Sequence, residues 1–132
     1  MLIDGVTFRR LVRARELLAS GDHDDLSVRE VAGEVGITPY RFIRVFAALF
    51  GATPHQYRTR ARLDRAKRLL AGGTSVTDAC VGVGFASVGS FSALFTRWVG
   101  APPSSFRGRP PAPGVGCLEL LAWSNSREAA HD

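Results

Sequence analysis

Apolar residues along this 132-residue chain recur mostly at every third or fourth position, the spacing of amphipathic helices. Val28, Val31, Ala32 and Val35 follow i, i+3, i+4 and i+7. Gly36 comes next, where a helix needs a left-handed residue to end, and Ile37 follows as a turn hydrophobe. Thr38 has the chemistry of an N-cap, and Pro39 suits the first helical position. The helix that begins there is expected to bury Phe42, Val45, Phe46 and Leu49 and to stop at Gly51.

The same pattern returns further along. Ser27-Val-Arg-Glu-Val-Ala-Gly-Glu-Val-Gly-Ile37 aligns with Ser75-Val-Thr-Asp-Ala-Cys-Val-Gly-Val-Gly-Phe85 at an offset of 48. Gly51-Ala-Thr-Pro-His-Gln-Tyr57 aligns with Gly100-Ala-Pro-Pro-Ser-Ser-Phe106 at an offset of 49. One structural unit is therefore used twice; two copies are too few for a solenoid. Ser27 with Glu30, and Ser75 with Asp78, have the spacing of capping boxes. In the second copy Val76, Ala79, Cys80 and Val83 form the first apolar face, and Gly84 makes the turn. Phe91, Leu94, Phe95 and Trp98 form the second face, closed by Gly100.

Between the copies, Pro54 to Ala71 reads as one helix of 18 residues, about 27 Å long at ~1.5 Å per residue. Tyr57, Ala61, Leu63, Ala66, Leu69 and Leu70 are its expected apolar positions. Arg58, Arg60, Arg62, Arg65, Lys67 and Arg68 are its expected polar side, and Gly72-Gly73 ends it. A further helix from about Phe8 to Ser20, with Leu11, Val12, Leu17 and Leu18 inward, completes the first copy. Asp22 to Asp25 is a loop. Pro110 to Gly116 is a linker, Cys117 to Trp123 a short apolar run that docks as a strand or helix, and Ser124 to Asp132 a frayed end. The expected fold is all-α, with about seven helices. Residues 1–53 form one subdomain, 54–72 a linker helix, 73–109 a second subdomain and 110–132 a tail.

Composition narrows the function. Hydrophobic residues are 45% and charged residues 22%, ordinary for a globular protein. No apolar run approaches the ~18–20 residues of a membrane span, and the N-terminus lacks the pattern of a secretory signal. With only Cys80 and Cys117 there is no disulfide framework, so the expected compartment is the cytoplasm. The net charge of +5 is uneven. Residues 1–36 carry five arginines against seven acids. Residues 37–70 carry seven arginines and Lys67 against Asp64 alone. A polyanion is expected to bind this middle stretch; the plain alternative is a solvated helix face.

Helix, tight turn, and a second helix opened by polar residues is the helix-turn-helix plan, whose second helix enters the major groove. A stiff connector of ~27 Å suits two such helices about one DNA turn apart, ~34 Å. The residues then resemble a known family. Thr38-Pro-Tyr-Arg-Phe-Ile-Arg-Val-Phe46 with Gly51 to Tyr57, Arg62-Leu-Asp-Arg-Ala-Lys-Arg-Leu-Leu70, and Val83-Gly-Phe85 with Phe91 to Phe95 and Gly100 to Arg107 are similar to the AraC/XylS family of bacterial transcription regulators. The resemblance covers about residues 8–107. It implies a seven-helix, two-subdomain module that binds double-stranded DNA, commonly as an activator touching RNA polymerase. Most members carry a separate effector-binding domain; this chain has no room for one. It looks like a short single-module member or the DNA-binding part of a regulator.

The resemblance places base contacts on Tyr40, Ile43 and Arg44, with Thr38 and Arg41 adjacent. Arg44 suits a bidentate bond to guanine, and Arg41 a base or a phosphate. The alternatives are a surface salt bridge for Arg44 and flank packing for Tyr40. The second recognition helix departs from the family: it opens Ser87-Val88-Gly89-Ser90, and Ala93 stands where arginine is frequent. With few hydrogen bonds to bases available, the first copy is expected to read sequence. The second is expected to grip phosphates and sense shape, Val88 meeting a thymine methyl. Ser27, Arg29, Thr53, His55, Ser75, Thr77 and Arg97 are candidate phosphate contacts.

No catalytic constellation appears. His23, His55 and His131 are scattered, and metal-ligand spacing is absent. Gly82-Val-Gly84 lacks the strand context of a nucleotide loop. No catalytic residue, metal, cofactor or small-molecule site is expected. Cys80 reads as a core residue. The rival function is a helical protein–protein adaptor that uses the Phe/Trp stripes and the tail.

Overall fold

Capping groups and left-handed glycines bound nearly every element of this protein. The structure, a computed structural model, describes residues 3–108. Among them are six α-helices and two single-turn 3₁₀ segments, Gly21–His23 and Pro103–Phe106, with no strand. Contacts divide the chain within its longest helix: residues through Ala61 belong to one compact unit, and those from Arg62 to another.

In the first unit, α1 (Gly5–Ala19) opens three residues earlier than expected. Asp4 provides the reason, because its carboxylate accepts the Thr7 N–H at 2.6 Å. Leu11, Leu17 and Leu18 are buried as expected, but Ala14 takes the inward place assigned to Val12, which is only half-buried. The loop expected at Asp22–Asp25 begins with the first 3₁₀ turn. Next comes α2 (Val28–Glu34), opened by a two-way capping box: Ser27 Oγ accepts the Glu30 N–H at 3.0 Å and Glu30 Oε1 accepts the Ser27 N–H at 3.1 Å.

Gly36 has φ +73° and turns the chain into α3 (Pro39–Phe50). The Thr38 hydroxyl makes no capping bond, contrary to expectation. Thr38 acts through its backbone, extended at φ −64°, ψ 146°, while Pro39 supplies a preset φ. Phe42, Val45 and Phe46 are buried, whereas Leu49 is 37% exposed. Phe50 packs on the core instead. The Phe46 ring meets Phe42, Phe50 and Tyr57 edge-on at 5.5, 4.6 and 5.8 Å, a favoured aromatic geometry.

The connector is α4 (Pro54–Ala71), with the expected limits. Thr53 and Gln56 cap its start reciprocally, at 3.2 and 3.0 Å. Its apolar positions serve two cores: Tyr57 the first, and Leu63, Ala66 and Leu70 the second. Leu69 is 37% exposed. The expected polar side needs correction, since Arg58 and Arg60 are 5% and 2% exposed. The Arg58 guanidinium donates to the carbonyls of Leu26 and His23, tying the α1–α2 loop to α4. Its charge serves folding rather than the surface. Asp64, also buried, accepts from Arg68 at 2.5 Å.

The second unit repeats the plan. Ser75 Oγ caps α5 (Val76–Gly82) by accepting the Asp78 N–H at 3.1 Å. Gly84 turns at φ +90°. Ser87 caps α6 (Val88–Val99), accepting the Ser90 N–H at 3.3 Å. Phe91 and Phe95 are fully buried, but Leu94 and Trp98 are only half-buried. Cys80 is a core residue as expected, 1% exposed; burial raises the pKa of its thiol. The Phe106 ring, from the second 3₁₀ turn, meets Phe95 edge-on at 5.4 Å. That turn occupies the place of a seventh helix. Linker, apolar run and frayed end beyond residue 109 lie outside the described residues.

Candidate nucleic-acid interface

Burying Phe42, Val45 and Phe46 on one side of α3 commits the other side to solvent. Tyr40 is 71% exposed and Ile43 43%; Thr38, Arg41 and Arg44 are exposed as well. The five positions proposed for base contact thus share the free side of one helix and the turn before it. Tyr40 and Arg44 touch: Arg44 Nη1 donates to the Tyr40 hydroxyl at 3.2 Å, and its guanidinium carbon lies 5.5 Å from the ring centroid. Neither plain alternative describes these residues fully. The Tyr40 ring does not pack away, and the partner of Arg44 is a phenol rather than a carboxylate.

The Asp4 carboxyl is held below its usual range chiefly by accepting the Thr7 N–H, and in smaller part by the Arg41 charge.

The start of α6 offers much less. Ser87, Val88 and Ser90 are exposed, but the Ser87 hydroxyl is engaged in capping and Val88 has only an aliphatic surface. The other polar candidates sit at helix starts. Ser27 and Arg29 are exposed at the head of α2; the Ser27 hydroxyl is engaged with Glu30, whose carboxyl is held low mainly by the Ser27 N–H. Thr53 is half-buried and caps α4, while His55 beside it is exposed. Thr77 is exposed and Ser75 half-buried at the head of α5. Arg97 is exposed near the end of α6, its guanidinium carbon 5.8 Å from the Trp98 ring.

Regional charge counting missed one group. Arg9, Arg10 and Arg13 are exposed on α1, within a stretch that appeared acidic because most of its acids lie elsewhere. Their spacing of i, i+1 and i+4 was the available signal. Among the described residues, no group of three or more His, Cys, Asp or Glu is placed to hold a metal ion. No described helix is long and apolar enough to cross a membrane.

Comparison with known proteins adds an independent line. Residues 31–109 match the family model described as "Helix-turn-helix domain". The probable transcriptional regulator LumQ of Photobacterium leiognathi is 36% identical over 86 residues, covering 62% of this chain and 34% of LumQ. The chain spans about a third or less of the first curated relatives it matches. A crystal structure of an AraC-type transcriptional regulator from Chromobacterium violaceum superposes with a TM-score of 0.72 at 26% identity, covering 84% of this chain and all of that one. Another, of a probable AraC family regulator from Rhodopseudomonas palustris, gives 0.69 at 25% identity, covering 77% of this chain and 99% of that one.

Proposed function

Because the chain belongs to the AraC-type helix-turn-helix family of DNA-binding transcription regulators, we propose that it reads duplex DNA by inserting α3 into a major groove. The observation carrying this reading is the exposed Tyr40–Arg44 pair near the start of α3. An arginine braced there is suited to the O6/N7 edge of guanine. The second unit engages a further major groove through α6. Its Ser87, Val88 and Ser90 supply shape and methyl contact in place of arginine-to-base bonds.

Ser27, Arg29, Thr53, His55, Ser75, Thr77 and Arg97 flank these helices as phosphate contacts. Together with the 54–72 connector, the units at 1–53 and 73–109 act as one binding module. The role is transcription regulation in the cytoplasm, as an activator that touches RNA polymerase, with binding rather than catalysis as its chemistry.

Selection from random duplex DNA, followed by sequencing, tests the proposal. We expect a motif whose information is concentrated in one half-site. Binding should fall steeply between ~50 and ~200 mM salt, since several phosphates are neutralised. Binding to no duplex, or an affinity indifferent to salt, would favour the adaptor reading.

A further inference from the structure

We propose that Arg9, Arg10 and Arg13 of α1 form a second phosphate-gripping surface, which holds the DNA backbone beside the groove that α3 enters. The inference rests on the DNA-binding reading and extends it to a helix outside the helix-turn-helix pair. The three side chains line an open cleft of about 500 Å³ together with Glu34 and Gly36. Three arginines thus share the lining with a single acid, Glu34. None of the three has a hydrogen bond or ion pair among the described residues. Arg15, on another flank of the same helix, differs: its guanidinium carbon lies 4.8 Å from the Phe50 ring centroid.

Position ties the cleft to the recognition helix. An Arg10 nitrogen lies 3.6 Å from where a Cβ on Gly36 would stand, and Gly36 is two residues before the N-cap of α3. Arg10 thus stands beside the turn that leads into α3, whose first residues meet base edges in helix-turn-helix docking. Arg15 lies instead against Phe50, the last residue of α3. Arginine's planar fork bonds phosphate oxygens two at a time. A phosphodiester backbone flanking the groove thus matches the cleft in charge and continues the proposed contact surface.

The test uses the full chain and a duplex recovered by the selection above. Affinity is measured against salt for wild type, for the triple variant Arg9→Gln/Arg10→Gln/Arg13→Gln, and for Arg15→Gln. Each phosphate released lowers the log–log slope by ~0.9, so we expect the triple variant to lose about 2–3 units of slope. Its base preference should be unchanged, because phosphate contacts position the protein without specifying sequence. Arg15→Gln should keep the wild-type slope, and thermal melting checks that all three proteins fold. A triple variant with the wild-type slope overturns the inference, as an acidic polypeptide occupying the cleft would produce. An Arg15→Gln loss as large per charge also overturns it. A wild type that binds no duplex is a separate result and sinks the DNA reading itself.

Discussion

Arg44 donates to the hydroxyl of Tyr40 one helical turn away, at 3.2 Å, with its guanidinium carbon 5.5 Å from the same ring's centroid. The long arginine side chain is held over an aromatic face before any partner arrives, so less freedom is lost on binding. Arg44→Ala is expected to weaken binding to the selected duplex by about 1–3 kcal/mol and to relax the preference at one base pair. Tyr40→Phe keeps the ring and removes the hydroxyl, so its loss should be smaller. Dissociation constants on the selected duplex and on single-base variants of it check both.

The two units should contribute unequally. Val88→Ala and Ser90→Ala are each expected to cost less than Arg44→Ala, because methyl and hydroxyl contacts discriminate bases weakly beside a bidentate arginine. The same titrations test this, and equal losses from α3 and α6 would refute the asymmetry.

Arg58 is a structural cation, buried against the carbonyls of Leu26 and His23. Arg58→Met leaves those acceptors without their donor and should destabilise the first unit by about 1–3 kcal/mol. Urea unfolding monitored by circular dichroism measures it.

Gly84 sits at φ +90°, and a Cβ there would lie 3.4 Å from the Arg62 guanidinium. Gly84→Ala should cost about 1–2 kcal/mol, chiefly from the left-handed backbone. The readout is the unfolding midpoint of the second unit.

The Glu30 carboxyl is held below its ordinary 4.5, mainly by the Ser27 N–H it accepts. A group whose folded pKa is depressed contributes stability above its unfolded pKa and loses it as pH falls through the folded one. Between pH 7 and pH 3, wild type should therefore lose more stability than Glu30→Gln, which has no proton to take up there. Parallel denaturation curves at the two pH values decide it.

Much of this architecture was legible before folding. The Ser27–Glu30 box, the turns at Gly36 and Gly84, the stops at Gly51 and Gly100, and the full extent of α4 follow from side chains and backbone within about four residues. The resemblance to the family singled out Tyr40, Ile43 and Arg44, whereas Phe42, Phe46, Phe91 and Phe95 followed from helical periodicity. Leu49 and Leu94 did not. They lie at the edge of an apolar stripe, where burial depends on whether a neighbouring helix reaches that far.

Local chemistry thus set the helices, their ends and the face that α3 leaves open, since capping, glycine backbone freedom and a 3.6-residue repeat all act at short range along the chain. Only folding decided which cations reach solvent. Arg58 meets backbone more than thirty residues away and goes inside, while Arg9, Arg10 and Arg13 stay out beside Gly36. Burial of a charged group depends on the carbonyls and helix ends that distant segments bring to it, and no pattern within one helix records them.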